Sequence, residues 1–136
     1  MKPEATLDPS LRSWVASANV AGAEFPIQNL PFGCFYPSEG QASRIGVAIG
    51  DQILDLLAAC ESGLLDGLKA DVVIACTAES LTPLFATGRK GISSVRGRVA
   101  ELLADGATKS NRAQTVHDLL VPMNSVTMRM PAEVGD

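Results

Sequence analysis

One histidine, His117, serves the whole 136-residue chain. A triad of nucleophile, imidazole base and orienting acid would have a single ring to draw on, and no G-x-S-x-G elbow accompanies it. The three cysteines, Cys34, Cys60 and Cys76, are odd in number, widely spaced and without a CxxC. That excludes a zinc ribbon and a disulfide framework and reads as free, partly buried thiols in a reducing compartment. Aromatic residues make up 4%: Trp14, Tyr36 and four phenylalanines. That is too few for the aromatic-lined groove of a proline-peptide reader. An excess of basic charge is missing as well, with 11 Lys and Arg against 15 Asp and Glu, a net charge of −4. Nucleic-acid binding draws on phosphate neutralisation by a basic stripe, so that class is set aside. Arg89-Lys90, with Arg96 and Arg98, reads as solvated charge on a helix side. No apolar run approaches the ~20 residues of a membrane span; the cluster Ile53–Cys60 is interrupted. The opening MKPEATLDPS lacks the apolar core of a signal peptide. The expectation is a soluble, cytoplasmic protein with no membrane partner.

What is present is a core. Apolar residues form 46% of the chain, and a single domain of this length buries roughly two-thirds of its unfolded surface. Residues 1–10 read as a loose arm. Asp8 or Ser10 could cap a short helix through Leu11, Trp14, Val15 and Ala18, ended by Gly22. Phe25–Tyr36 reads FPIQNLPFGCFY. Pro26 and Pro31 make its first half an edge or irregular extended segment. After Pro31 the alternation of Phe32, Cys34 and Tyr36 with Gly33 and Phe35 predicts a strand, and Pro37–Gly40 a turn.

The strongest local signal is RIGVAIGDQILDL at Arg44–Leu56. Ile45, Val47 and Ile49 alternate with Gly46 and Ala48. Gly50-Asp51 fits a two-residue type II′ turn, which places glycine first because φ is positive there. Folding back at that point sets Val47 opposite Leu54 and Ile45 opposite Leu56, with one fully apolar face. Gly46 and Ala48 on the other face leave room for a second backbone. A one-residue slip would turn the apolar face to solvent, so the register is strongly specified.

A short helix is expected from Leu56, ending near Gly63 or Gly67. In 71–85, Val72, Val73 and Ile74 favour a strand, while Thr82-Pro83 favours a helix start capped by Ser80 or Thr82. Gly88 and Gly91 read as a helix stop and restart. Ile92, Val95, Val99, Leu102 and Leu103 predict an amphipathic helix with Arg89, Lys90, Arg96, Arg98 and Glu101 outside, stopped by Gly106. Thr108–Leu120 could hold a further helical turn. Pro122 breaks it, and Val126, Met128 and Met130 alternate into a terminal strand closed by Pro131. Neither repeats nor low-complexity segments occur.

The candidate chemical groups are few. His117 beside Val116, Leu119 and Leu120 is structural, facing either core or solvent. Asp51 is accounted for by turn chemistry alone. Asp55 alternates out of the apolar face, and Glu61 and Asp66 bracket a glycine-leucine stretch. None of these pairs has the converging oxygens a hard cation needs, and all read as surface carboxylates. Gly46, Gly50, Gly88 and Gly91 match no phosphate-binding loop. No catalytic, cofactor-binding or metal-ligating residue is assigned. Short strands with helices between them predict a mainly β fold with helical insertions, a small, partly open barrel; a mixed α+β sandwich is the alternative.

Two segments carry a resemblance. FPIQNLPFG at Phe25–Gly33 followed by RIGVAIGDQILDL, and VTMRMPAEVGD at Val126–Asp136, resemble the amino-terminal domain of the fumarylacetoacetase family in order and spacing. Cys34 stands where that family usually has an aliphatic residue. The resemblance implies an SH3-like barrel, with an arm and short helix over 1–22, the domain over 23–131 and a junction over 132–136 to an absent catalytic domain. It implies that the full-length parent hydrolyses the carbon–carbon bond of 4-fumarylacetoacetate to fumarate and acetoacetate, in tyrosine and phenylalanine breakdown. A calcium or magnesium ion and a histidine–acid pair in the carboxy-terminal domain would do the chemistry. The implied partners are that catalytic domain and a second copy in a homodimer. The family's first metal ligand lies in a Tyr-Thr-Asp-Phe stretch beyond the Gly-Asp junction. Asp136 matches the junction aspartate, so the fragment is expected to be inactive alone and to hold no cofactor. A stand-alone SH3-like interaction module is the alternative reading.

Overall fold

The computed structural model describes residues 12–13, 15–19, 27, 30–37, 40–104 and 111–128. The expected arm 1–10 and its caps lie outside these residues, as do Leu11, Trp14, Gly22, Phe25, Gly106, Met130, Pro131 and the 132–136 junction. The alternating segment after Pro31 forms β1, Phe32–Tyr36. The hairpin forms as β2, Arg44–Ile49, and β3, Gln52–Asp55. Val47 pairs with Leu54, as the pattern requires, and Gly46 with Asp55. The ladder stops there, because Leu56 already starts a helix and does not reach Ile45 as a strand residue. Gly50 has φ +60°, and no non-glycine residue among those described has positive φ. A positive φ at the first turn position alone matches type II′ and not type I′.

Two short strands complete the sheet: β4, Leu120–Pro122, and β5, Thr127–Met128. The order is β4-β3-β2-β1-β5, antiparallel throughout. The outer strands β4 and β5 do not pair with each other, so the described sheet is open and forms no closed SH3-like barrel. Nor is the chain mainly β, since helices carry more of the described residues than strands do. The mixed α+β alternative describes it better. Edge strand β4 contains Pro122, which has no N–H, and the Pro122 carbonyl accepts from Ser125 Oγ at 2.8 Å.

The sheet is buried on both faces. Cys34, Ile45, Val47, Ile49 and Leu54 join the helices in one apolar cluster, each branched aliphatic contributing about 1.5–3 kcal/mol by leaving water. On the reverse face Phe35 and Ile53 are also sealed from solvent. They explain Gly46: a Cβ there would meet the Phe35 ring at 3.0 Å and run into Ile53. Side chains, and not the second backbone expected from sequence, fill the space over this glycine.

Helix α1, Leu56–Glu61, begins where Asp55 Oδ1 accepts from the Ala58 N–H at 3.2 Å, the standard role of an aspartate N-cap. Turns through Gly63 and Gly67 follow. Ala70–Ala75 is a helix, α2, and not the strand that Val72, Val73 and Ile74 favour. Its buried residues Val72 and Ala75, with the C-cap Cys76, recur at helical spacing, while Ile74 is 69% exposed. A strand would have put Val72 and Ile74 on one face; helical packing overrides β-branched propensity here.

Helix α3, Thr82–Ala86, has its proline in the first turn as expected. Its N-cap is Leu81, with no side-chain cap from Ser80 or Thr82. Helix α4, Gly88–Leu103, buries Val95, Val99, Leu102 and Leu103. Gly88 at φ +84° is the expected stop for α3. Gly91 restarts nothing; it lies inside α4, buried against Val72.

Arg96 and Arg98 are not simply solvated. Arg96 Nε donates to the Leu30 carbonyl at 3.3 Å, and its guanidinium lies 4.9 Å from the centre of the Phe32 ring, within cation–π range. Arg98 Nη1 donates to the carbonyls of Leu64 and Asp66, both at 2.8 Å. The two arginines tie α4 to the segment before β1 and to the turns after α1. Arg89 and Lys90 are exposed as expected. Helix α5, Asn111–Leu119, precedes β4 and packs against α4, α1 and β3.

Candidate functional site

The polar groups of the hairpin gather at its two ends. At the base, Asp55 is 5% exposed. Its Oδ2 accepts from Arg44 Nη1 at 2.6 Å while its Oδ1 caps α1. This corrects the surface reading of Asp55. It alternates away from the helix-side core, but the reverse face is buried too, so the carboxylate stays only because both oxygens are paired.

At the tip, Asp51 does more than shape a turn. Its Oδ1 accepts from Ser17 Oγ at 2.7 Å and from Gln52 Nε2 at 3.0 Å, and its N–H donates back to Ser17 Oγ at 3.0 Å. The Ser17 hydroxyl above all, then the Gln52 amide, hold the carboxyl below its ordinary value of 3.8. Ser17 belongs to a single 3-10 turn, Ala16–Ala18, which stands where a longer helix was expected. Ser13 anchors the same segment from the other side. Its Oγ donates to the Leu103 carbonyl at 2.7 Å, and its backbone exchanges hydrogen bonds with the Asn19 amide at 3.0 and 2.6 Å. Ser13 and the 15–19 segment are thereby strapped between the end of α4 and the hairpin tip. A cue existed in the sequence, since serine and asparagine in a short stretch favour local side-chain to backbone bonds. Their distant partners were not readable.

A groove of about 590 Å³ opens beside this strap. Val15, Leu120 and Pro122 form its apolar wall; Ser17, Asp51 and Gln52 its polar side. His117 stands at the rim with its side chain 70% exposed, its Nδ1 3.9 Å from Asp118 Oδ1. It faces solvent, resolving the two orientations left open by sequence. Asp51 and Pro122 also line a smaller hollow continuing past Met123 and Asn124.

The remaining candidates are dispersed. Glu61 is exposed at the end of α1 and Asp66 on the turn that follows Gly63. Cys34 and Cys76 are buried and Cys60 is half-buried, none of the three in a disulfide. Burial pushes the Cys76 thiol up to about 11, with Cys60 adding to the shift. A thiol so placed is protonated and inert at neutral pH. Among the described residues no three His, Cys, Asp or Glu side chains converge to hold a metal ion. The oxygens of Asp55 and Asp51 are turned to Arg44, a helix cap, Ser17 and Gln52. These residues do not fit a calcium or magnesium ion, which the resemblance implies for the carboxy-terminal domain. Among the described residues no helix is long and apolar enough to cross a membrane.

The described residues form an α+β domain, an open antiparallel sheet packed on helices, with Asp51, Asp55, Arg96 and Arg98 bonded within it. The comparisons give it a family. The model for "Fumarylacetoacetase N-terminal" matches residues 28–131, and the chain belongs to that family. It is 40% identical over 119 residues to the fumarylacetoacetase of Caenorhabditis elegans, covering 84% of this chain and 27% of that protein. It is 36% identical over 130 residues to that of Oryza sativa subsp. japonica, covering 93% of this chain and 30% of that protein. For Dictyostelium discoideum the figures are 35% over 115 residues, 84% and 27%. The chain thus spans less than a third of the length of these curated relatives.

Proposed function

We propose that this chain is the amino-terminal accessory domain of a fumarylacetoacetase. In its full-length form that enzyme would hydrolyse the carbon–carbon bond of 4-fumarylacetoacetate to fumarate and acetoacetate, in tyrosine and phenylalanine catabolism. The observation that carries the reading is the family match over residues 28–131 in a chain that covers under a third of its relatives. The catalytic groups, and a calcium or magnesium ion, belong on this reading to a carboxy-terminal domain that is the first partner of the present one. The parent is a cytoplasmic homodimer. Domain boundaries at 22 and 131, and an SH3-like kinship of the sheet, are part of the same proposal; the consecutive meander β1-β2-β3 supports the kinship. The alternative, a free-standing peptide-binding module, is disfavoured by the aromatics. Among the described residues Phe35 is buried and Phe32 lies under Arg96.

The test has two arms. The coding sequence downstream of Asp136 is expected to continue into a Tyr-Thr-Asp-Phe stretch; its absence counts directly against the reading. The 136-residue chain, given fumarylacetoacetate with calcium or magnesium, is expected to leave the diketone absorbance unchanged, while the longer polypeptide consumes it. Turnover by the short chain would reject its accessory status.

A further inference from the structure

We propose that the groove at the tip of the β2–β3 hairpin seats the catalytic portion of the same polypeptide, which enters it with an aliphatic side chain beside a lysine or arginine. The proposal rests on the functional reading above and adds where the two portions meet and by what chemistry.

Three observations carry it. The first is composition. The wall of Val15, Leu120 and Pro122 accepts an apolar side chain, with Leu120 half-buried and Pro122 exposed. The second is charge. Asp51 lines both the groove and the hollow that continues it, Asp118 flanks the rim, and the described lining contains no lysine or arginine. A cation entering here would meet a fixed carboxylate already oriented by Ser17 and Gln52, so little side-chain ordering would be lost on contact. The third is position. The hollow ends at Asn124, about a dozen residues before Asp136. Even fully extended, those residues reach only about 40 Å. Binding by a segment tethered within that reach is intramolecular, so a groove of modest area suffices. The contact is made through side chains, because Pro122 has no N–H to offer a visiting strand and its carbonyl is engaged by Ser125.

Other features carry less. Ile74 is a lone large apolar side chain exposed on α2, and Cys76 is buried in the apolar cluster with Cys60 packed against it.

The test uses the long polypeptide, continued past Asp136, with a photoreactive benzoylphenylalanine in place of His117 at the groove rim. A second preparation carries the same group in place of Arg89, exposed on α4. Illumination followed by peptide mapping is expected to join position 117 to a peptide beyond Asp136 that contains lysine or arginine, and to give no such product from position 89. Adding Asp51→Lys is expected to lower the yield at 117 at least several-fold. The proposal is overturned by three results: cross-links from 117 only within residues 1–136, cross-links to a second copy, or equal yields from both positions. The unsubstituted long polypeptide is assayed in parallel. Turnover without the cross-link defeats the docking surface alone; a cross-link without turnover defeats the functional reading and leaves the surface standing.

Discussion

The two ends of the β2–β3 hairpin carry the same residue type in opposite circumstances. Asp55 at the base is buried, paired with Arg44 and capping α1. Asp51 at the tip is open to solvent and holds the Ser17 turn. Three residues of chain separate a carboxylate the fold needs from one that joins an outer segment to the fold. The difference follows from the sheet: at the base both faces are covered, so charge persists only where every oxygen is used, whereas at the tip water shares the load.

That contrast can be broken in order of expected effect. Asp55→Ala removes the partner of a half-buried arginine and a helix cap together. Its cost should be about 3 kcal/mol or more, seen as a lowered urea midpoint; a loss no larger than that of a surface substitution would remove the base from the comparison. Gly46→Ala, midway along β2, drives a methyl into Ile53 and the Phe35 ring and should cost about 1–3 kcal/mol by overpacking. In an Ile53→Ala background, which lacks the clashing γ-methyl, the same substitution should cost less. Gly50→Ala places a Cβ at φ +60° against the backbone of Ser17 and Ala18, for a loss of about 1–2 kcal/mol, read by thermal melting. Asp51→Asn should be the mildest, and its signature is pH dependence. Because the folded carboxyl titrates below its ordinary 3.8, its stabilisation is present above that value and disappears as pH falls through the lower folded value. The wild-type chain should therefore lose stability in acid more steeply than Asp51→Asn, and identical acid limbs would show that the Ser17 contact contributes nothing.

How much of this was legible depended on the range of the cause. Register and turn type of the hairpin are local: alternation of Ile45, Val47 and Ile49 with small residues, and a glycine at the one position with positive φ, determine both. The long helix α4 announced itself by period. Ala70–Ala75 did not, because three consecutive β-branched residues speak for a strand until Ile74 is seen to face water. The roles of Arg96, Arg98, Ser13 and Asp55 depend on partners between 11 and 90 positions away, and nothing in residue order reports such partners. The groove was invisible for the same reason, assembled from Val15, Asp51 and Leu120 only after folding.

Pro122 and Ser125 have a consequence during synthesis. Nascent chains of one species crowd along the same message, and an open sheet margin is where neighbours pair by mistake. On β4 that margin is three residues long, lacks a donor at Pro122, and has the proline's acceptor already engaged. A sheet left open on this side is thus guarded against recruiting strands from copies being made beside it.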